Sequence, residues 1–202
     1  MFVTFEGPEG AGKSTALRAV AEKLREAGHR VLETREPGSG DVGKAVRALL
    51  LHGGDLEPRA ELLLFLADRA QHVSEVVRPA LERGEIVLCD RHADSTLVYQ
   101  GVARGLDVDF VRAGNAFATG GLVPDLTLLL DVPAETGLAR LENPDRMDSL
   151  PVAFHEKVRV GFLDLASKEP QRIRLLDGSL TRLQVAEEAT RMILERQALS
   201  GA

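Results

Sequence analysis

The octet Gly7-Pro8-Glu9-Gly10-Ala11-Gly12-Lys13-Ser14 carries the strongest chemical signal in the chain. With Thr15 behind it, it matches the pattern GxxxxGK[ST] in full. Each residue type has a physical reason. The glycines let the backbone close around a phosphate with its N–H groups pointing inward. A helix opening just after the loop adds a favourable dipole. Lys13 supplies a positive charge for the β- and γ-phosphates of a nucleoside triphosphate, and the Ser14 hydroxyl suits Mg2+. Such a loop specifies nucleotide binding. The reaction must be set by residues elsewhere.

Those residues follow two other apolar runs. Val31 to Thr34 delivers Arg35-Glu36-Pro37-Gly38, and Ile86 to Cys89 delivers Asp90-Arg91-His92. Asp90 falls where the second acidic group for Mg2+ and its waters belongs in a nucleotide-binding loop protein. Arg91 beside it is suited to bridge donor and acceptor phosphates and neutralise charge spreading over the transferring oxygens. His92 reads as a packed, hydrogen-bonded residue and is assigned no chemistry. Two further sets share helical faces: Phe65 with Arg69, and Thr96 with Tyr99 and Gln100. A ring, a fixed donor and an amide are what a flat pyrimidine needs. Phe65 would stack on it. Arg69 would donate to a carbonyl oxygen, and Gln100 would pair with an N3–H edge. By periodicity alone, Phe65 reads equally as a core residue and Gln100 as a surface one.

The elements that must position these groups alternate between short apolar runs and helical patterns, which predicts a parallel-sheet α/β fold. The spacing predicts strands over Phe2 to Phe5, Val31 to Thr34, Ile86 to Cys89, Leu126 to Val132 and Ile173 to Leu176. A helix from about Lys13 carries Leu17, Val20, Ala21 and Leu24 on one face, with Gly28 as its stop. Another ends near Leu51. A longer one from Pro58 carries a stripe of Leu62, Leu66, Ala70, Val73 and Val77, with a kink or break expected at Pro79. The last carries Val185, Ala189, Met192 and Ile193. Between the last two strands, Glu142 to Pro151 is irregular and holds two prolines, a candidate mobile loop.

Composition narrows the function further. The 202 residues suit one domain. Aromatics make up only 4% and tryptophan is absent, so the core must be aliphatic. A net charge of −6 argues against binding a nucleic acid polymer, where affinity comes from neutralising backbone phosphates. A small phosphate ligand needs only a few converging cations. Cys89 is the single cysteine, so an intrachain disulfide and a multi-cysteine metal site are excluded by count. No signal peptide or membrane-span pattern is present, which leads us to expect a cytoplasmic protein.

Together the motifs resemble the thymidylate kinases, specifically the bacterial kind. The matching segments are FEGPEGAGKST at Phe5 to Thr15, TREPG at Thr34 to Gly38, LLFLADR at Leu63 to Arg69, DRHADSTLVYQG at Asp90 to Gly101 and PDLTLLLDV at Pro124 to Val132. FHEKVRVGF at Phe154 to Phe162 is a weaker match. The segments span nearly the whole chain in order. The resemblance implies a P-loop NTPase three-layer fold, with a five-stranded parallel sheet flanked by helices. It implies one kinase domain over 1–202, a short lid at about 141–152, and a homodimer. The implied reaction is transfer of the γ-phosphate of ATP to dTMP, giving dTDP and ADP with Mg2+, a step in dTTP biosynthesis.

Residue roles follow from the same resemblance. Gly7, Pro8, Glu9, Gly10, Ala11, Gly12, Lys13, Ser14 and Thr15 would hold ATP, with Ser14 and Asp90 serving Mg2+. Arg91 would touch the transferring phosphoryl group and the dTMP phosphate. Arg35 and Arg47 would clamp that phosphate, with Glu36 and Pro37 nearby. Phe65 would stack on thymine, Arg69 would meet its O4 and Gln100 its N3, with Thr96 assisting. Tyr99 would crowd the sugar 2′ position, and Glu9 would face the 3′-hydroxyl. Family members whose phosphate loop carries an acid use a lid arginine on the ATP phosphates. Arg146, in Asp145-Arg146-Met147-Asp148, is the first candidate for that catalytic role, beside Lys13, Arg91 and Glu9, and Arg140 is the second. Two departures stand out. Ser39 and Gly40 replace the usual residues after TREPG, and the lid is shorter than in most relatives.

An acceptor phosphate is already anionic near neutral pH, so direct in-line transfer needs no general base. Lid closure would expel water and limit hydrolysis of ATP. Arg69 donates only, so a cytosine amino group would meet it donor to donor, at about 1–3 kcal/mol for a buried unpaired group. The rival reading as another small-molecule P-loop kinase is separated by a substrate panel. A nucleotide-dependent protein switch would need NKxD-type and DxxG motifs, and neither occurs.

Overall fold

The structure, a computed structural model, describes residues 1–200, so the last two positions of the expected domain, 201 and 202, lie outside it. Its centre is a parallel sheet of β1 (Phe2–Glu6), β2 (Val31–Arg35), β3 (Ile86–Asp90), β4 (Leu126–Asp131) and β5 (Ile173–Asp177). Their spatial order is β2-β3-β1-β4-β5. Four strands run one residue beyond the apolar stretch that predicts them, and the added residues are Glu6, Arg35, Asp90 and Asp177. β4 ends one residue early, on Asp131. The carboxyl edge of the sheet is therefore a row of charged side chains, where ligands collect in open α/β sheets. Register brings Asp90 opposite both Arg35 and Phe5, next to the start of the phosphate loop.

Alternation along the strands makes three layers. Val3, Phe5, Ile86, Leu88, Leu128 and Leu130 pack on one face against α1 (Lys13–Glu26) and α9 (Arg182–Ser200), through Leu17, Val20, Leu24, Val185 and Ile193. On the other face Leu129 and Ile173 pack with Val158, Phe162 and Leu165 of α8 (Val152–Lys168). Phe2, Val87 and Cys89 pack there with Val77 and Ala80. The core is mostly aliphatic, with a few aromatic members such as Phe2, Phe5 and Phe162. Removing most of a buried leucine such as Leu88 from it would cost about 2–5 kcal/mol.

Six further α-helices stand among the described residues. They are α2 (Gly40–His52), α3 (Pro58–His72), α4 (Arg78–Glu82), α5 (Ala93–Thr96), α6 (Val108–Thr119) and α7 (Ala134–Leu138). Two results differ from expectation. Pro79 does not break the chain after α3. A π-helical turn over Val73–Val77 widens the helix, and the Arg78 N–H bonds to the Val73 carbonyl. Pro79 then sits in the first turn of α4, where its missing N–H is not needed. Second, Leu66 and Ala70 are only half-buried, and the fully buried face of α3 carries Glu61, Leu62, Asp68, Arg69 and His72. A polar face can be buried here because this helix walls the cleft described below. Residues 139–151, which hold most of the expected lid, form turns without a regular helix or strand.

Candidate active site

The phosphate loop joins β1 to α1, as its sequence context requires. Gly10 has φ +66°, and a Cβ built there would lie 1.9 Å from the Gly137 carbonyl oxygen. Only glycine lets the loop abut α7 this closely. Lys13 is buried in the loop, with Nζ donating to the carbonyls of Gly7 at 3.0 Å and Pro8 at 2.6 Å. Burial, with the Arg91 charge nearby, lowers its ammonium to about 8. The Ser14 hydroxyl donates to Asp90 Oδ2 across the gap between α1 and β3. Their oxygens are hard donors of the kind Mg2+ prefers, and two protein ligands leave room for phosphates and water. On the outer side of the loop, Thr15 and Arg140 line a groove of about 460 Å³ with Gly10, Ala11, Gly12 and Lys13. Arg140 Nη1 donates to the Gly10 carbonyl at 3.2 Å and the Gly178 carbonyl at 3.1 Å.

Arg91 follows β3 with φ +67°, a left-handed conformation unusual for a side chain of this size. Its guanidinium is held from several sides. Nη1 donates to the Gly7 carbonyl at 3.0 Å and to Ser95 Oγ at 3.1 Å, and Nη2 to Glu9 Oε1 at 3.0 Å. The guanidinium carbon lies 5.1 Å from the centre of the Tyr99 ring. Below it, the buried Glu6 carboxylate accepts from the Ser95 hydroxyl at 2.5 Å and the His92 N–H at 2.8 Å. These bonds fix the backbone that follows the strained residue.

Glu9 is equally enclosed. The Tyr99 hydroxyl sits 2.7 and 2.6 Å from its two carboxylate oxygens, and His155 Nδ1 lies 3.3 Å away. Burial alone would push the Glu9 carboxyl up. Arg91, His155, Lys13 and Tyr99 together outweigh burial and hold it well below the usual carboxylate range. Burial pushes the Tyr99 phenol up, so it stays a donor.

A cleft of about 410 Å³ opens beside these groups. It is lined by Lys13, Asp90 and Arg91 at one end, and by Arg35, Glu36, Pro37 and Arg47 on one wall. Phe65, Arg69, Thr96, Tyr99 and Gln100 line the rest. Arg47 Nη1 donates to the Pro37 carbonyl at 2.9 Å. Burial, then the neighbouring Arg35 charge, lowers Arg47, so two cations converge where an anion would relieve their repulsion. The Glu36–Pro37 peptide is cis.

Arg69 is buried and doubly tied, with Nε donating to Glu36 Oε2 at 2.9 Å and Nη1 to Asn115 Oδ1 at 2.7 Å. Glu36 points beneath the cleft, where His72 and His92 approach its other oxygen at 2.7 and 2.9 Å through Nδ1. Burial opposes its ionisation, but His92, Arg69 and His72 hold it well below the ordinary range. The Gln100 amide nitrogen donates to Glu61 Oε1 at 2.9 Å. Cys89, Glu36 and His92 come within 4.8 Å of one another. The Cys89 thiol donates to the Arg91 carbonyl, and burial pushes it well up.

Among the side chains expected from sequence to reach the ATP phosphates, Arg146 stands apart. It does not line the cleft or the outer groove. Its Nε donates to the Leu50 carbonyl at 2.8 Å and its Nη2 to Glu61 Oε2 at 2.6 Å. Arg140 is the arginine against the phosphate loop. Sequence reasoning missed Glu6, Glu61, Asp68, Ser95, Asn115, Gly137 and His155. Asp68 accepts the Gly38 N–H at 3.1 Å and so secures the turn that carries Ser39 and Gly40. One signal was available: Glu61, Asp68, Arg69 and His72 recur at helical spacing, a polar stripe beside Phe65.

Comparison with known proteins identifies a family. A family profile described as thymidylate kinase matches residues 5–189. A thymidylate kinase of Desulfovibrio desulfuricans is 54% identical over 191 residues, covering 89% of this chain and 88% of its own. One from a Synechococcus strain is 49% identical over 202 residues, covering 100% and 98%. A crystal structure of thymidylate kinase from Ehrlichia chaffeensis superposes with a TM-score of 0.78 at 34% identity, over 96% of this chain and 98% of that one. A phosphate loop bonded to the arginine that closes β3, beside a cleft lined by both, together with a profile match over most of the length and relatives about half identical, places this chain in the thymidylate kinase family.

Proposed function

We infer that the protein transfers the γ-phosphate of ATP to dTMP, yielding dTDP and ADP. The observation that carries this reading is the position of Arg91, which reaches Glu9 and Gly7 of the phosphate loop and also lines the acceptor cleft. A cation there contacts both the γ-phosphate of a nucleotide on the loop and the phosphate of an acceptor in the cleft. Charge neutralisation at that junction is what phosphoryl transfer demands.

The residues divide by side. Lys13 and the loop N–H groups hold the ATP phosphates, with Arg140 beside them. Ser14 and Asp90 would hold Mg2+, which when bound neutralises charge on the phosphate oxygens. Arg35, Arg47 and Arg91 hold the acceptor phosphate. Phe65 stacks on thymine, Arg69 donates to O4, Gln100 accepts from N3–H, and Thr96 supports the base. Tyr99 is pinned to Glu9 where a ribose 2′-hydroxyl would fall, so the pair favours deoxyribose and presents Glu9 to the 3′-hydroxyl. Within the cleft no group is needed as a base. The acceptor oxygen carries its charge already, and the chain's part is alignment and exclusion of water.

We read residues 1–202 as one kinase domain with a lid at about 141–152; Leu141, Asn143, Asp145, Met147 and Asp148 of that segment line the cleft. We read it also as a homodimer, because Leu63 on α3 and Phe110 and Phe117 on α6 expose large apolar side chains on adjacent helices. Among the described residues no helix is long and apolar enough to cross a membrane. A cytoplasmic location, where ATP and dTMP occur together, fits this reading. The direct test supplies γ-labelled ATP, dTMP and Mg2+. Label should appear in dTDP with wild-type protein and not with Lys13→Ala. Label released only as inorganic phosphate would contradict the reaction.

A further inference from the structure

Glu61 of α3 lies outside the cleft and has no exposure to solvent, yet it holds the cleft's amide. Its Oε1 accepts from Gln100 Nε2 at 2.9 Å and Arg104 Nε at 3.2 Å. Its Oε2 accepts from Arg104 Nη2 at 3.0 Å and Arg146 Nη2 at 2.6 Å. We propose that Glu61 is a specificity-determining positioning residue, which sets the preference for thymine over cytosine by dictating which end of the Gln100 amide faces the cleft. This rests on the reading of Gln100 as the group that meets N3.

An ionised carboxylate accepts and never donates. Gln100 must therefore turn its NH2 group towards Glu61, which leaves the amide oxygen as the end available to the cleft. Thymine presents N3–H, a donor, and pairs with that oxygen. Cytosine presents a bare N3, an acceptor, and meets oxygen against oxygen. A flipped Gln100 would reverse the preference at this edge. Burial pushes the Glu61 carboxyl up, but hydrogen bonds from Arg146, Gln100 and Arg104 outweigh it and keep the group ionised. The two arginines thus hold Glu61 in the state that orients the amide. Arg69 guards the O4 edge independently, tied to Glu36 and Asn115, so losing Glu61 erodes selectivity without abolishing it.

The test compares kcat/KM for dTMP and dCMP on one preparation of each variant, a ratio that does not depend on the fraction of folded protein. Glu61→Gln has an amide that can donate as well as accept, so it releases the constraint on Gln100. The dTMP-to-dCMP ratio should fall about tenfold, the scale set by one mispaired hydrogen bond. Glu61→Asp still only accepts and should keep the ratio even where absolute rates drop. In a Gln100→Ala background, adding Glu61→Gln should leave the ratio unmoved, since no amide remains to flip. Should Glu61→Gln fail to fold, the exchanged pair Glu61→Gln with Gln100→Glu keeps the charge count and returns an acceptor-only group to the cleft. That pair should keep the preference for dTMP. An unchanged ratio in Glu61→Gln, an equal fall in Glu61→Asp, a fall that persists without Gln100, or lost preference in the exchanged pair overturns the proposal. Wild-type protein that makes no dTDP would instead contradict the proposed reaction itself.

Discussion

Arg91 Nη2 stands 3.0 Å from Glu9 Oε1, joining the end of β3 to the phosphate loop. The guanidinium is carried on a left-handed residue and held by Gly7, Ser95 and Glu9, so its aim is set by the fold and not by the substrate. Preorganised charge of this kind is worth most in the transition state. Arg91→Ala should lower kcat by at least about a hundredfold, and Lys13→Ala should do likewise. Both should leave the circular dichroism spectrum of wild type. Full turnover in either variant would refute the assignment.

The two lid-region arginines should separate by substrate. Arg140 touches the phosphate loop, whereas Arg146 ties Glu61 to the end of α2. Arg140→Ala should raise KM for ATP by about tenfold and change KM for dTMP little, the size of one charge-assisted hydrogen bond. Arg146→Ala should act mainly on dTMP, through Glu61. Steady-state kinetics with each substrate varied in turn decides between these patterns and their reverse.

Lys13 makes the reaction sensitive to alkali. Burial and the Arg91 charge lower its ammonium to about 8, so above that pH the loop loses its cation. kcat/KM reports ionisations of the free enzyme. It should fall for ATP above pH 8, whereas kcat at saturating ATP should hold to higher pH, because bound phosphate favours the charged lysine. A kcat/KM profile that stays flat past about pH 9 would contradict this.

Glu6 should shape stability against pH. Burial, then the Asp94 charge, raise its carboxyl to about 7, against Arg91, Ser95 and the His92 N–H. A raised folded-state value means that the group's stabilising share is complete below pH 4.5 and is lost as pH climbs through about 7. Glu6→Gln cannot ionise and escapes this loss. Relative to wild type it should gain up to about 3 kcal/mol across that window. Urea unfolding of both proteins at the two ends of the window measures it, and a difference that does not move with pH would count against the account.

How much was legible depended on how local each signal was. Lys13 and Ser14 lie in one octet, and Asp90 and Arg91 end one apolar run, so spacing alone announced them. Phe65, Arg69, Thr96, Tyr99 and Gln100 were legible as helical faces, but periodicity could not say that both faces turn to one cleft. In the structure both faces line one cleft. The supporting residues were hidden because their partners are distant in sequence: Glu61 with Gln100, Arg69 with Asn115, Glu6 with Ser95. The aliphatic stripe expected from Pro58 onward holds at Leu62, Val73 and Val77 but not fully at Leu66 and Ala70, since hydrophobic periodicity takes for granted that polar residues face water. Glu61, Arg69 and His72 bond to side chains of other elements, and one Asp68 oxygen accepts the Gly38 N–H, so these four are buried instead. Arg146 was placed by motif alone, and a motif does not say that Glu61 and the Leu50 carbonyl would take the arginine.

The most direct measurement is ADP release by the purified protein with ATP and Mg2+, read side by side with dTMP, dUMP, dCMP, dGMP and AMP. The account predicts turnover greatest with dTMP, and little with dCMP, dGMP or AMP, because Arg69 and Gln100 together read a pyrimidine with O4 and N3–H. A protein equally active on all five, or inert with dTMP while another acceptor is phosphorylated, would contradict it.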